Sequence, residues 1–235
     1  MASFPIYRVK RLDLCVSPWR WPFADARRSE IDGHFAKLKR KTPQLWNGRV
    51  LLGRDPHFTS DTFSAEYFET DFASFIAWRD WGFPDASVFN GFGMGALRTR
   101  DGAYALGEMA AHTVNAGKVY FPAGTPDLND IRDGRVDIAA SVAREVAEET
   151  GLTVADYQVS DHWDCVVTGP LIALMRSLQS DLDGETLRQR IETNLARQST
   201  PELARIHLVR SRRDISPAVP EYMAAFLDAR LPAAV

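Results

Sequence analysis

Residues 137–152 read Asp-Ile-Ala-Ala-Ser-Val-Ala-Arg-Glu-Val-Ala-Glu-Glu-Thr-Gly-Leu, and this stretch constrains the fold more than any other. Ala139, Val142, Ala143 and Val146 recur at i, i+3, i+4 and i+7, which predicts a helix with one apolar stripe suited to burial. Asp137 is placed to cap its first turn, and Gly151 to end it. Glu145, Glu148 and Glu149 stand at i, i+3 and i+4, so a helix gathers them onto a single face with Cβ atoms about 5–6 Å apart. Carboxylates that close repel unless a cation sits among them. Oxygen-only donors suit magnesium, which is usually held by one or two carboxylates together with water and substrate phosphates.

The remaining composition narrows the class. A chain of 235 residues with 45% hydrophobic and 11% aromatic residues can bury a sizeable core, as one large domain or two small ones. A net charge of −3 spread over 25% charged residues is too small and too mixed to suggest a dedicated nucleic-acid or membrane binder. Cys15 and Cys165 lie far apart with no CxxC pair, and read as reduced thiols. No apolar run approaches the roughly 18 residues of a membrane span, and no export signal is found, so a cytoplasmic protein is expected.

The chain reads in two parts. Residues 1–85, rich in Trp and Pro, are expected to form an N-terminal extension or small subdomain, and residues 86–235 the catalytic domain. In the first part the basic run Lys37-Leu38-Lys39-Arg40-Lys41 reads as a solvated helix face. Gly48 to Gly53 reads as a short strand. Phe68, Phe72, Phe75 and Ile76 fit the spacing of a helix that ends before Gly82 and Pro84, its aromatic stripe packing on the second part or holding a nucleobase. In the second part Asp101-Gly102 signals a hairpin. Gly91-Phe92-Gly93-Met94-Gly95 has the wrong spacing for a dinucleotide loop and reads as close strand packing. Strands are expected at 118–121, 163–167 and 206–209, and at 171–175, where a helix also fits. Helices are expected around Leu187, Ile191 and Leu195 and from Pro220 to Leu231. A mixed sheet with helices on its faces is the economical α/β architecture.

Arg144 to Leu152 resembles the second half of the Nudix box, Arg-Glu-U-x-Glu-Glu-x-Gly-U, where U is a bulky aliphatic. Chance produces such a match on the order of once in 10⁵ chains of this length at average residue usage. The resemblance implies a Nudix-type α/β/α (α+β) sandwich over roughly residues 86–212, with the N-terminal extension packed on it. It implies that Glu145, Glu148 and Glu149 bind Mg2+, with Mn2+ as a substitute, and that Arg144 orients one of them by ion pairing. The first half of the box does not match: its Gly and Glu would fall at Asp130 and Val136. Pro122-Ala123-Gly124 resembles the family's Pro-Gly-Gly turn moved upstream, with Gly124 against the substrate, and the intervening loop holds Asp127, Asp130, Asp133 and Asp137. Any of these can replace the missing acid, and each alone also fits a solvated or capping role.

In many members of the family the general base lies outside the box helix. Glu202 is the candidate here, although a helix-start role after Pro201 fits it equally; His162 and His207 are weaker candidates. The expected function is magnesium-dependent hydrolysis of a diphosphate linkage in a nucleoside diphosphate derivative. The N-terminal part, Leu45-Trp46-Asn47-Gly48 and the displaced turn resemble the branch that includes UDP-glucose pyrophosphatase-type proteins, so a nucleotide sugar is the first substrate to test. The alternative is a Nudix-fold module that binds a nucleotide as a sensor or docking domain without cleaving it. The expected partner is a small-molecule nucleotide, with neither nucleic acid nor membrane, and the family resemblance implies a homodimer.

Overall fold

A computed structural model describes residues 4–43 and 45–232. The first 85 residues contribute β1 (Ile6–Val9), β2 (Arg11–Val16), α1 (Pro22–Ala26), α2 (Arg28–Lys41), β3 (Arg49–Phe58), β4 (Thr62–Asp71) and α3 (Phe72–Asp80). There follow β5 (Val88–Arg98), β6 (Tyr104–Met109), β7 (Val119–Tyr120), β8 (Ala123–Gly124), β9 (Ile131–Arg132), β10 (Arg135–Val136) and α4 (Ile138–Thr150). The chain closes with β11 (Gln158–Val167), β12 (Leu171–Gln179), α5 (Gly184–Leu195), β13 (Leu203–Val209) and α6 (Glu221–Arg230). The fold is mixed α/β: helices pack on a large mixed sheet, in which β12–β5 and β2–β4 are the parallel pairs.

Strand β5 is the hub. It pairs with β12 along its length, with β3 at its start, with β8 at Gly93 and Met94, and with β6 at its end. Alternate side chains of a strand face opposite ways, and the contacts of β5 follow that rule. A Cβ built on Gly93 or Gly95 would stand 2.6 Å or 2.5 Å from Val142 or Val146 of α4, whereas the Phe92 ring meets Tyr222 of α6 edge-on at 5.8 Å. Helices α4 and α6 therefore cover opposite faces. The glycines do pack closely, and what they admit is the acidic helix.

The boundary drawn at residue 85 falls between α3 and β5, and strand pairing crosses it: β1 lies antiparallel to β11, and β10 to β2. Leu51, Phe63 and Tyr67 share the main core with Met94, Val146 and Leu174, while Trp21, Ile31, Phe68 and Trp78 centre a second cluster.

Several local expectations are corrected. Phe68 belongs to β4, not to the helix of Phe72, Phe75 and Ile76. Asp71 caps that helix by accepting from Ser74 N–H at 2.9 Å, so the chain changes from strand to helix inside the apparent periodic run. The short strand at Gly48–Gly53 runs on to Phe58. Residues 171–175 form the expected strand, with the alternative helix ruled out because β12 is sandwiched between β5 and β11. The basic run lies on the last turns of α2, with its Lys and Arg side chains exposed where cations offset the helix dipole. Cys15 is exposed and Cys165 buried, both free thiols. No described helix is long and apolar enough to cross a membrane.

Candidate functional site

Helix α4 begins and ends as its sequence dictates. Asp137 accepts from Ala140 N–H at 3.0 Å, and Gly151 takes a left-handed φ of 74°. Its buried face is turned from the predicted stripe: Ala139 is exposed, and Ile138, Val142, Val146, Glu149 and Thr150 are buried. The acids thus do not share one solvent face. Glu149 is only 5% exposed, Glu145 is largely covered, and Glu148 points outward with a side-chain exposure of 62%.

The turn after β7 explains how Glu145 fits. Gly124 of β8 pairs with Gly93 of β5, and a Cβ on Gly124 would lie 2.4 Å from Glu145 Oε1. The missing side chain makes room for the carboxylate. The neighbouring Ala123 N–H donates to Glu149 Oε1 at 3.4 Å, and Glu149 Oε2 is buried with no partner.

Arg144 is held between acids. Its Nη1 donates to Glu145 Oε1 at 2.7 Å, and its Nη2 donates to Asp130 Oδ1 and Oδ2 at 3.0 and 3.2 Å. Asp130 is 3% exposed and also accepts from Asp127 N–H and Ser141 Oγ. The four loop aspartates therefore separate by role. Asp127 caps the short 3₁₀ turn over Leu128–Asp130, Asp137 caps α4, and Asp133 sits exposed in a turn at φ 48°. Asp130 anchors the arginine that positions Glu145. No local periodicity announces this, because the contact closes a loop of 14 residues.

Burial pushes the Glu145 carboxyl up to about 7; Arg144 opposes the rise, while Glu148, Glu202 and Asp130 add to it. Glu149 is raised well above the ordinary range, first by burial and then by the charges of Glu145 and Glu202. A largely covered acid beside a buried one with an orphan oxygen forms a site short of positive charge. Among the described residues, no group of three or more His, Cys, Asp or Glu side chains stands close enough to enclose a metal ion. Glu145 and Glu149 supply hard oxygen donors, and the side-chain-free cradle at Gly124 keeps one of them clear of the turn. That donor set fits a hard divalent cation completed by water and substrate oxygens.

Glu202 is exposed at the bend before β13, rather than starting a helix, and its charge is felt by Glu145, Glu149 and Tyr120. His162 lies against Asp161 at 2.8 Å and His207 against Glu108 at 2.7 Å; neither has a hydrogen-bond partner among the acids of α4. A cleft of about 380 Å³ opens on the other side of the Ala123–Thr125 turn, lined in part by Phe72, Asn90, Lys118, Tyr120 and Tyr222. Sequence reasoning missed Asn90. It lies within a glycine-rich strand and carries no motif.

No family model matches the chain, and no curated protein sequence does. Among solved structures, it is similar to a Nudix hydrolase from M. smegmatis, RenU, at 14% identity and a TM-score of 0.39, over 63% of this chain and 92% of that one. It is also similar to a MutT protein from Methanosarcina mazei Go1, at 19% identity and a TM-score of 0.37, over 60% and 91%. A third similar structure is the complex of the C-terminal domain of mouse MUTYH with human PCNA, at 12% identity and a TM-score of 0.35, over 62% and 92%.

Proposed function

We propose that this chain is a Nudix-type hydrolase that cleaves a diphosphate linkage in a nucleoside diphosphate derivative with Mg2+, or Mn2+ in its place. A nucleotide sugar is the first candidate substrate. One observation carries the reading: within the segment Arg144–Leu152, Glu149 is buried and Glu145 largely covered beside the Gly124 turn, and Arg144 is fixed by Asp130 so that it holds Glu145 from the side.

Glu145 and Glu149 would hold the cation, with Glu148 able to swing in from its exposed position 3.8 Å from Arg144. A bound magnesium ion neutralises diphosphate charge, polarises phosphorus and lowers the pKa of a coordinated water. The protein's own groups prepare that chemistry. Arg144 fixes the Glu145 carboxylate through a charge-assisted hydrogen bond, and Asp130 limits the rotamers open to Arg144. The Ala123 N–H orients Glu149. Glu202, exposed to solvent yet within electrostatic reach of the pair, is the group proposed to accept a proton from the attacking water.

The test is a substrate panel of nucleotide sugars, ADP-ribose, dinucleotide polyphosphates and nucleoside triphosphates, with magnesium or manganese and with chelator. We expect metal-dependent turnover of at least one diphosphate-linked compound. Glu149→Gln should lower kcat at least 10²-fold, and Glu202→Gln on the order of 10²-fold. No turnover across the panel, or turnover untouched by Glu149→Gln, defeats the reading. Tight nucleotide binding that persists in chelator without product would favour a sensor instead.

A further inference from the structure

The cleft beside the Ala123–Thr125 turn is not part of the acidic pair, yet it opens directly next to it. Its walls come from widely separated parts of the chain: Phe72 and Arg79 from α3, Asn90 from β5, Tyr222 from α6, and Lys118 from the loop before β7. Aromatic walls with a few polar groups are what a flat heterocycle requires, and about 380 Å³ lies within the usual range for a small-molecule pocket. Asn90 is 6% exposed. Its Nδ2 donates to Thr125 Oγ1 at 3.4 Å, and its Oδ1 is buried without any hydrogen-bond partner. Because Thr125 carries a hydroxyl, either end of the amide can face it, which leaves the other end unsatisfied in both orientations. A buried amide with one idle end is costly to a fold that gains nothing from it.

Resting on the diphosphate hydrolase reading, we propose that this cleft binds the nucleobase of the substrate, that Phe72 and Tyr222 supply its flat walls, and that Asn90 determines which base is accepted. Lys118 stands where it can meet phosphate on its way round the Gly124 turn to Glu145 and Glu149, while Arg79 on the same wall is paired with Asp80. The N-terminal part would then complete the substrate site, since α3 supplies a wall that residues 86–235 do not.

The experiment reads binding, not turnover. AMP, GMP, CMP and UMP are titrated calorimetrically into the full chain, wild type and variants, with ribose 5-phosphate as the probe without a base. We expect one base to bind at least tenfold more tightly than the weakest, and ribose 5-phosphate to bind more weakly than all of them. Asn90→Leu should bring the four bases to within about twofold of each other, since the lost hydrogen bond is worth on the order of tenfold. Phe72→Ala, at a half-buried site, should weaken all four by a similar factor and keep their order. If Asn90→Leu fails to fold, Asn90→Ser removes the same amide without added volume. Equal affinity for all bases, a preference that survives loss of Asn90, or ribose 5-phosphate binding as tightly as the monophosphates overturns the proposal. The two readings fail separately. Base discrimination lost with Asn90, in a protein that hydrolyses nothing, leaves the cleft standing and removes the hydrolase; turnover sensitive to Glu149→Gln without base discrimination does the reverse.

Discussion

Glu145 is raised because its carboxylate is buried and has one cation to share with Asp130. With a value of about 7 in the folded protein against 4.5 ordinarily, the folded state binds more protons than the unfolded state between those limits. The stabilisation from its proton is therefore full below about 4.5 and is lost as pH rises through 7. In chelator, wild type should be more stable at pH 5 than at pH 8, with this group contributing on the order of 3 kcal/mol. Urea melts at the two pH values should show a smaller difference for Glu145→Gln, and magnesium at pH 8 should restore stability to wild type alone. Identical pH slopes for the two proteins would count against a charge-starved site. Gly124 gives a second prediction at this scale. In Gly124→Ala the new Cβ displaces Glu145 Oε1, the end of a flexible side chain, so the fold should lose less than about 1 kcal/mol while kcat falls at least tenfold. Thermal melting beside turnover checks the split.

Helix α4 and strand β5 act as one unit. The helix carries the acids, but its depth against the sheet is set by Gly93 and Gly95, whose positions have no room for a Cβ beside Ile138, Val142 and Val146. Gly95→Val should cost about 1–3 kcal/mol through overpacking, because β5 is paired on both edges and cannot recoil. The displaced helix should also lose catalytic rate beyond the loss of stability, measurable as kcat under conditions where the variant is fully folded. The existence of this helix was legible in the sequence, from Asp137, Gly151 and the apolar recurrence between them. Its rotation was not. Ala139 looks as apolar as Val142 in a periodic pattern, and only contact with β5 shows that the buried face passes through Glu149 instead. The strand-to-helix switch at Asp71 was hidden for a similar reason, since Phe68 happens to fit both periods.

Across the whole molecule, β1 and α6 are tied together through Asp164 of β11. This carboxylate, 1% exposed, accepts from Arg8 Nε of β1 at 3.1 Å and from Arg230 Nε and Nη2 of α6 at 3.2 and 2.5 Å. Removing a buried partner leaves its cations without their counter-charge; since both arginines are partly exposed, Asp164→Asn should cost about 2 kcal/mol rather than the full penalty of a buried pair. Hydrogen exchange should then rise first in β1 and α6, and equal protection in wild type and variant would show that the tie is not structural. What the sequence determined by itself was local: a capped helix, three acids at fixed spacing, the hairpin glycine, and the α/β alternation that calls for a mixed sheet. Those follow from backbone geometry, which acts over a few residues. Tertiary structure alone decided that Asp130 rather than its neighbours meets Arg144, that Glu148 turns outward while Glu149 is buried, and that Asn90 lines a cleft walled by α3 and α6. Such choices depend on which surfaces exclude water together, and that is settled by contacts between residues distant along the chain.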